Sequence, residues 1–362
     1  MPIVWCSISS HGFGHAAQTI PILNQLGTVV ENLYVILRTC VSPSIFQEHL
    51  HVKWEVQAVS QDIGCIQRGP LDIDVAKTWD AYQEFHANWS QRVNQEAEAI
   101  NKAQTNLVIS NISYLAIASA FQVHRPVVAI ASLCWDQVLQ PFIQRSRADH
   151  QAIYEHIRHE YAKANRLIRL HPAIDMTAFP CVTDTGPSFP LAKSSSQGLR
   201  KLLGIEREET LVLIAFGGVP LTSLPLDQLE TCKGFHFLVG GMLLDSSRTR
   251  IHRIEDCMMP FGEMMRQADV IMTKPGYATI MIAVHYGIPL VYVRRNSFID
   301  EQGLVDYAHQ YGRAVELPRK DFESGAWGKT LHAVLAIPSP CEPPPKPDQS
   351  TVVDLLRNYL QA

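Results

Sequence analysis

The sequence predicts an α/β protein built from two doubly wound, Rossmann-like parallel-sheet domains. Three observations carry this. Apolar runs suited to buried strands alternate with helical patterns over residues 3–170, and again over 211–316. Between the two series, over 172–196, the periodicity vanishes and Pro172, Pro180, Pro187 and Pro190 punctuate the chain. Finally, 362 residues are too many for one ordinary core and suit two.

The first strand is Ile3-Val4-Trp5-Cys6-Ser7-Ile8. A glycine-rich turn, Ser9-Ser10-His11-Gly12-Phe13-Gly14-His15, leads from it into a helix with Ile20, Leu23 and Leu26 on one face and Gly27 as its expected stop. Strands are expected at 33–37 and 52–59, a loop holding Asp62, Gly64 and Gly69 at 61–70, and one long helix over 79–103. Leu107-Val108-Ile109-Ser110 is a buried-strand run ending in Asn111, and a helix follows over 113–121. Strands at 127–131 and 167–170 flank a helix at 149–164, and Ser132 to Asp136 lie just past the first of these strands.

The second series begins with a helix at 197–203 stopped by Gly204. Strands are expected at 211–216, 236–239, 269–273, 290–293 and 314–316, and helices at 261–267, 280–286 and after 302. Residues 338–347 hold six prolines and read as an extended connector to a terminal helix at 350–360. The expected domains are therefore 1–172, a linker at 173–195, 196–337, and a connector with its helix at 338–362.

A hydrophobic content of 46% and a charged content of 18% are globular rather than disordered. The net charge of −4 argues against a nucleic-acid partner. The apolar start is short and lacks a basic flank, so no signal peptide is expected. The charge-free run at 107–123 is broken by polar residues and reads as strand, turn and helix rather than a membrane span. None of the eight cysteines forms a C-x-x-C pair, which suits reduced thiols in a cytoplasmic protein and predicts no zinc site.

Three turns could carry chemistry. In the first, the glycines admit a ligand to the backbone, and Gly14 opens a helix whose N-terminus is partially positive. His15, in its first turn, can act as a base near neutral pH, with His11 shaping the loop. Packing and capping would also account for these histidines. In the second series, Phe216-Gly217-Gly218 and Lys274-Pro275-Gly276-Tyr277-Ala278-Thr279 follow strands, and the latter opens a helix suited to a diphosphate. Lys274, Arg294 or Arg295 could add charge. Asp300, Glu301 and Gln302 offer partners for sugar hydroxyls, or cap a helix. His49, His51, His156 and His159 need no role, and Trp135 reads as a packing residue.

In their order and spacing, the His11–Ala16 turn, Trp135-Asp136, Phe216-Gly217-Gly218, Gly276-Tyr277-x-Thr279, the 291–295 stretch and Arg319-Lys320-Asp321 resemble GT-B glycosyltransferases. The likeness extends to UDP-glycosyltransferases, to the lipid-linked N-acetylglucosaminyltransferase of peptidoglycan synthesis and, more closely, to the glycosyltransferase-like domain fused to plant arabinokinase. The resemblance implies two domains facing a cleft, with a nucleotide-sugar donor, UDP-linked, held by the C-terminal domain as a substrate. It implies an acceptor on the N-terminal domain, inversion at the sugar, and no metal or other cofactor.

His15 matches the family's histidine at the reacting centre; Gly14, Gly217, Gly218, Lys274, Gly276, Tyr277, Thr279, Arg294, Asp300, Glu301 and Gln302 fall at its donor side. The residue that orients His15 is Asn111 or Asp136 in this reading. The chain departs from the family at Ile282, where UDP-using members commonly carry a ribose-binding Glu. The acceptor stays open among small molecules, lipid-linked sugars and glycans, and with it the question of contact with a membrane surface. Two other functions remain: a binding or regulatory protein that kept the fold without turnover, and a sugar-nucleotide epimerase.

Overall fold

The computed structural model describes residues 1–192, 198–218, 221, 223–242, 244–245, 248–295 and 297–361. The last residues of the expected linker, 193–195, and Gln197 at the expected helix start lie outside them. The chain divides into two compact units: Met1–Ile66, Ile73–Pro190 and Pro345–Ala362 form the first, Gln67–Asp72 and Leu191–Pro344 the second.

The strands, in chain order, are β1 (Ile3–Ile8), β2 (Tyr34–Arg38), β3 (Lys53–Gln57), β4 (Gln67–Arg68), β5 (Asp72–Ile73), β6 (Leu107–Asn111), β7 (Val127–Ala131), β8 (Arg166–Leu170) and β9 (Val182–Thr185). They continue with β10 (Thr210–Ala215), β11 (Phe235–Val239), β12 (Ile251–Arg253), β13 (Val270–Thr273), β14 (Leu290–Tyr292) and β15 (Ala314–Glu316). The first unit holds a seven-stranded sheet in the order β3-β2-β1-β6-β7-β8-β9, and the second a six-stranded sheet in the order β12-β11-β10-β13-β14-β15. Both are parallel throughout the pairings described. Every residue of β6, β7 and β11 is buried, as expected where helices cover both faces of a parallel sheet.

The winding matters for function. In the first sheet the chain steps outward from β1 to β3, then returns to the other side of β1 with β6. In the second it steps from β10 to β12 and returns beside β10 with β13. Each reversal opens a crevice at the carboxyl ends of two neighbouring strands, the place where open α/β sheets bind ligands.

Several elements differ from the sequence expectation. The first helix runs over Gly14–Val29, so Gly27 does not stop it. Gly27 instead marks a close approach, because a Cβ there would collide with Val52 Cγ1. The expected helix at 79–103 is two helices, Val75–Ala87 and Trp89–Lys102, broken at Asn88. The break lets the Trp89 ring stack on both His86 and Tyr114. Strand β9 lies within the expected linker; four residues of mixed burial at a sheet edge leave no period to read. Strand β12 has three residues and is hidden in the sequence for the same reason.

The Gln349–Gln361 helix packs on the Gly14–Val29 helix and buries Val352, Val353 and Leu356. Within the second unit, Leu71 from the β4–β5 turn joins the core around Phe237, Phe322 and Trp327, and Asp72 pairs with Arg319. Among the described residues, no helix is long and apolar enough to cross a membrane.

Candidate functional site

In the first unit, the turn after β1 and the end of β6 meet at the sheet's reversal. Ile8 pairs with Asn111 in register, and Ser9 N donates to Asn111 O at 2.6 Å. His15 and Asn111 are both buried there. His15 Nδ1 lies 2.7 Å from Asn111 Oδ1.

The surrounding hydrogen bonds fix the direction of this contact. Gln18 Nε2 donates to Ser132 Oγ at 2.8 Å, which turns Gln18 Oε1 toward Asn111. Asn111 Nδ2 then donates to Gln18 Oε1 at 3.0 Å and to Thr19 Oγ1 at 3.1 Å. Asn111 Oδ1 is thereby the acceptor toward His15, so Nδ1 carries the proton and Nε2 the basic lone pair. This is the tautomer a general base requires. Asp136, the other candidate for orienting His15, is engaged with other groups: its Oδ2 accepts from Arg158 Nη1 at 3.0 Å and from Gln137 Nε2.

A second network encloses the turn. Trp135 packs its indole against His15, with ring centroids 5.7 Å apart, and against His11 at 5.4 Å. Asp62, fully enclosed, accepts from Trp135 Nε1 and from Ser9 Oγ, both at 2.9 Å. Burial pushes the Asp62 carboxyl up to about 6, against the pull of those two hydrogen bonds. Cys65 N donates to His11 Nδ1, and Gly64 stands with φ +67° where a Cβ would come within 2.7 Å of that nitrogen. Gly14 is the first residue of its helix, and a Cβ there would meet nothing within 4 Å.

In the second unit, Ala215 of β10 pairs with Thr273 of β13, and the two glycine loops diverge from that pair. Gly217 has φ +76°, and a Cβ on it would stand 3.7 Å from Lys274 Cε. Lys274 is largely enclosed; burial, aided by the Arg295 charge and opposed by Asp300, pushes its ammonium down to about 8. Among the described residues no carboxylate forms an ion pair with it. Gly276 caps the Tyr277–His285 helix with φ −132°, and its missing side chain leaves the loop backbone open. Tyr277 and Ile282 are buried, while Thr279 is half-buried in the first turn.

The acidic residues beyond β14 are engaged with arginines. Glu301 Oε2 accepts from Arg295 N at 2.8 Å and from Arg295 Nε at 3.3 Å, and Asp300 pairs with Arg295 Nη2. Gln302 accepts from Arg294 Nη1 at 3.0 Å and donates to Asp306. The Arg295 guanidinium, 3.8 Å above the Phe298 ring, is held on several sides. This group therefore forms a local ionic frame next to Lys274's loop.

Sequence reasoning missed Gln18, Thr19, Ser132 and Asp62 as members of the first site. Asp62 left a signal as a carboxylate in a glycine-bearing loop after a strand, and Ser132 as the first residue past the 127–131 strand; Gln18 and Thr19 left none.

The two parallel sheets, each with a glycine turn at its reversal, are shared with solved structures of the GT-B fold. Among solved structures, the chain is similar to the glycotransferase of kitacinnamycin (TM-score 0.63, 14% identity, 99% of this chain and 95% of that one). It is also similar to Phytolacca americana UGT2 complexed with UDP-2-fluoro-glucose and pterostilbene (TM-score 0.61, 12% identity, 100% and 94% covered), and to the calicheamicin glycosyltransferase CalG4 (TM-score 0.60, 13% identity, 99% and 94% covered). Among curated proteins it is similar to Arabidopsis thaliana L-arabinokinase, at 25% identity over 338 residues. That match covers 92% of this chain and 32% of the relative, so the chain spans about a third of that protein's length. No family model matches the chain.

Proposed function

We propose that the chain is a glycosyltransferase that moves a sugar from a nucleotide-linked donor, UDP-linked, to an acceptor hydroxyl with inversion. The observation that carries the reading is the orientation of the Asn111 amide, whose Oδ1 faces His15 Nδ1 at 2.7 Å and accepts a hydrogen bond from the protonated Nδ1, the tautomer in which Nε2 is the basic nitrogen. In the reaction Nε2 removes the acceptor's hydroxyl proton while its oxygen attacks the anomeric carbon. The bond from that carbon to the diphosphate breaks, and the departing charge is met by Lys274 and by the amides opening the Tyr277–His285 helix. The scheme uses no metal. The unbonded cysteines suit a reducing compartment such as the cytoplasm.

A second reading, a nucleotide-sugar-binding protein without turnover, is favoured by one residue. Ile282 is 8% exposed and aliphatic, and it cannot accept a ribose hydroxyl proton.

A thermal-shift screen against UDP, GDP, ADP and TDP sugars tests both, because a bound ligand stabilises the fold by mass action. One nucleotide class should raise the melting temperature. Gly276→Val should abolish the rise in a folded protein, since the backbone there accepts a β-branched residue but the loop would be covered. Stabilisation with hydrolysis or transfer supports the enzyme, stabilisation with neither supports the binder, and no shift with any sugar nucleotide contradicts both.

A further inference from the structure

We infer that Asp62 is a positioning residue for His15, acting through the indole of Trp135. The inference rests on the reading of His15 as the base. The hydrogen bond from Nδ1 to Asn111 fixes one point of the imidazole but does not by itself set the plane of the ring. Aiming Nε2 requires a contact on the ring itself. The indole of Trp135 supplies one, tilted 51° to the His15 ring.

Trp135 is itself held at two places. Its backbone N donates to Tyr161 Oη at 3.2 Å, and its Nε1 donates to Asp62 Oδ2. Asp62's other oxygen accepts from Ser9 Oγ, and Ser9 Oγ accepts from His11 N at 3.3 Å. One buried carboxylate therefore ties the start of the His11–His15 turn to the aromatic wall against which both histidines pack. Removing it would free the indole and the turn together. No group in this linkage other than His15 need touch substrate.

The chemistry separates a carboxamide from an aliphatic replacement. In Asp62→Asn the carbonyl can still accept from Trp135, and the NH2 group can donate to Ser9 Oγ. In Asp62→Ala neither bond survives. Trp135→Phe keeps an aromatic face but has no donor for Asp62.

The test is the ring-nitrogen resonances of His15 in the full chain labelled with ¹⁵N-histidine, assigned by their loss in His15→Gln. Wild type should show Nδ1 protonated over the neutral range. Asp62→Ala and Trp135→Phe should leave Nδ1 protonated, because Asn111 sets that, but should broaden the Nε2 resonance as the ring loses its fixed plane, and Asp62→Asn should restore the sharp wild-type signal. Wild-type resonances in folded Asp62→Ala would overturn the proposal; if that variant does not fold, wild-type resonances in Trp135→Phe would do so. With a working donor and acceptor, Asp62→Ala should lower kcat about tenfold or more with donor KM unchanged. Altered resonances with no transfer even in wild type would leave the positioning role standing and defeat the catalytic reading alone.

Discussion

His15, in the helix that follows β1, and Asn111, at the end of β6, meet at the first sheet's reversal with their side chains 2.7 Å apart. The amide does more than touch the imidazole. It is oriented from behind by Gln18 and Thr19, so it can only accept from Nδ1. Asn111→Leu removes the amide that accepts from Nδ1 and leaves Gln18 Oε1 without the donor it has in the wild type. It should destabilise the protein by about 2–4 kcal/mol and abolish the fixed tautomer. Denaturant unfolding checks the first effect, and ¹⁵N-histidine spectra check the second.

Lys274 predicts how ligand affinity depends on pH. Its ammonium loses its proton at about 8 in the ligand-free protein. A diphosphate binds the protonated form better, so affinity should be highest below pH 8 and decline as pH rises through it. Binding at pH 8 should be accompanied by proton uptake, which calorimetry in buffers of different ionisation enthalpy will detect. Lys274→Met should weaken binding and remove both effects.

Two glycines of the first site should behave oppositely. Gly64→Ala places a methyl group in a left-handed backbone position and against the His11 ring, and should cost about 1–3 kcal/mol. Gly14→Ala adds a methyl group that meets nothing, at the first position of a helix, and should be neutral or slightly stabilising. Thermal or urea unfolding of the two variants checks the contrast.

His86, packed among Trp89, Tyr114 and His156, is pushed down to about 4 by burial and by the neighbouring His156. The unfolded chain takes up this proton near 6.5, whereas the folded chain resists until about 4. Its contribution is therefore present above 6.5 and is lost as pH falls through that window. Asp62 acts oppositely, because its folded value is raised: its contribution is full below the unfolded value and is lost as pH rises through 6. Urea unfolding at pH 4.5 and pH 7 should show less acid loss in His86→Phe than in wild type, and more in Asp62→Asn.

The fold was legible because buried parallel strands are apolar on both faces, so runs such as Leu107–Ser110 and Leu211–Phe216 stand out from the amphipathic helices between them. The two reversals coincide with glycine turns that the sequence displays openly. Short edge strands do not: Val182–Thr185 reads as linker because only one side of it is paired. The choice between Asn111 and Asp136 could not be made from sequence, since one ends a buried strand and the other follows one, and the Arg158 side chain shows where Asp136 is engaged. Gln18, Thr19, Ser132 and Asp62 come from separate stretches, and their convergence on one turn is a property of the assembled sheet.

If His15 removes the acceptor's proton, its loss must slow turnover without loosening the donor. The direct measurement is turnover of wild type, His15→Ala and His11→Ala, with the sugar nucleotide that stabilises the protein and an acceptor that it glycosylates. His15→Ala should lower kcat by roughly a hundredfold or more with donor affinity little changed, His11→Ala should have a smaller effect, and the wild-type rate should fall at acid pH as the imidazole is protonated. Full turnover in a folded His15→Ala variant would contradict that role.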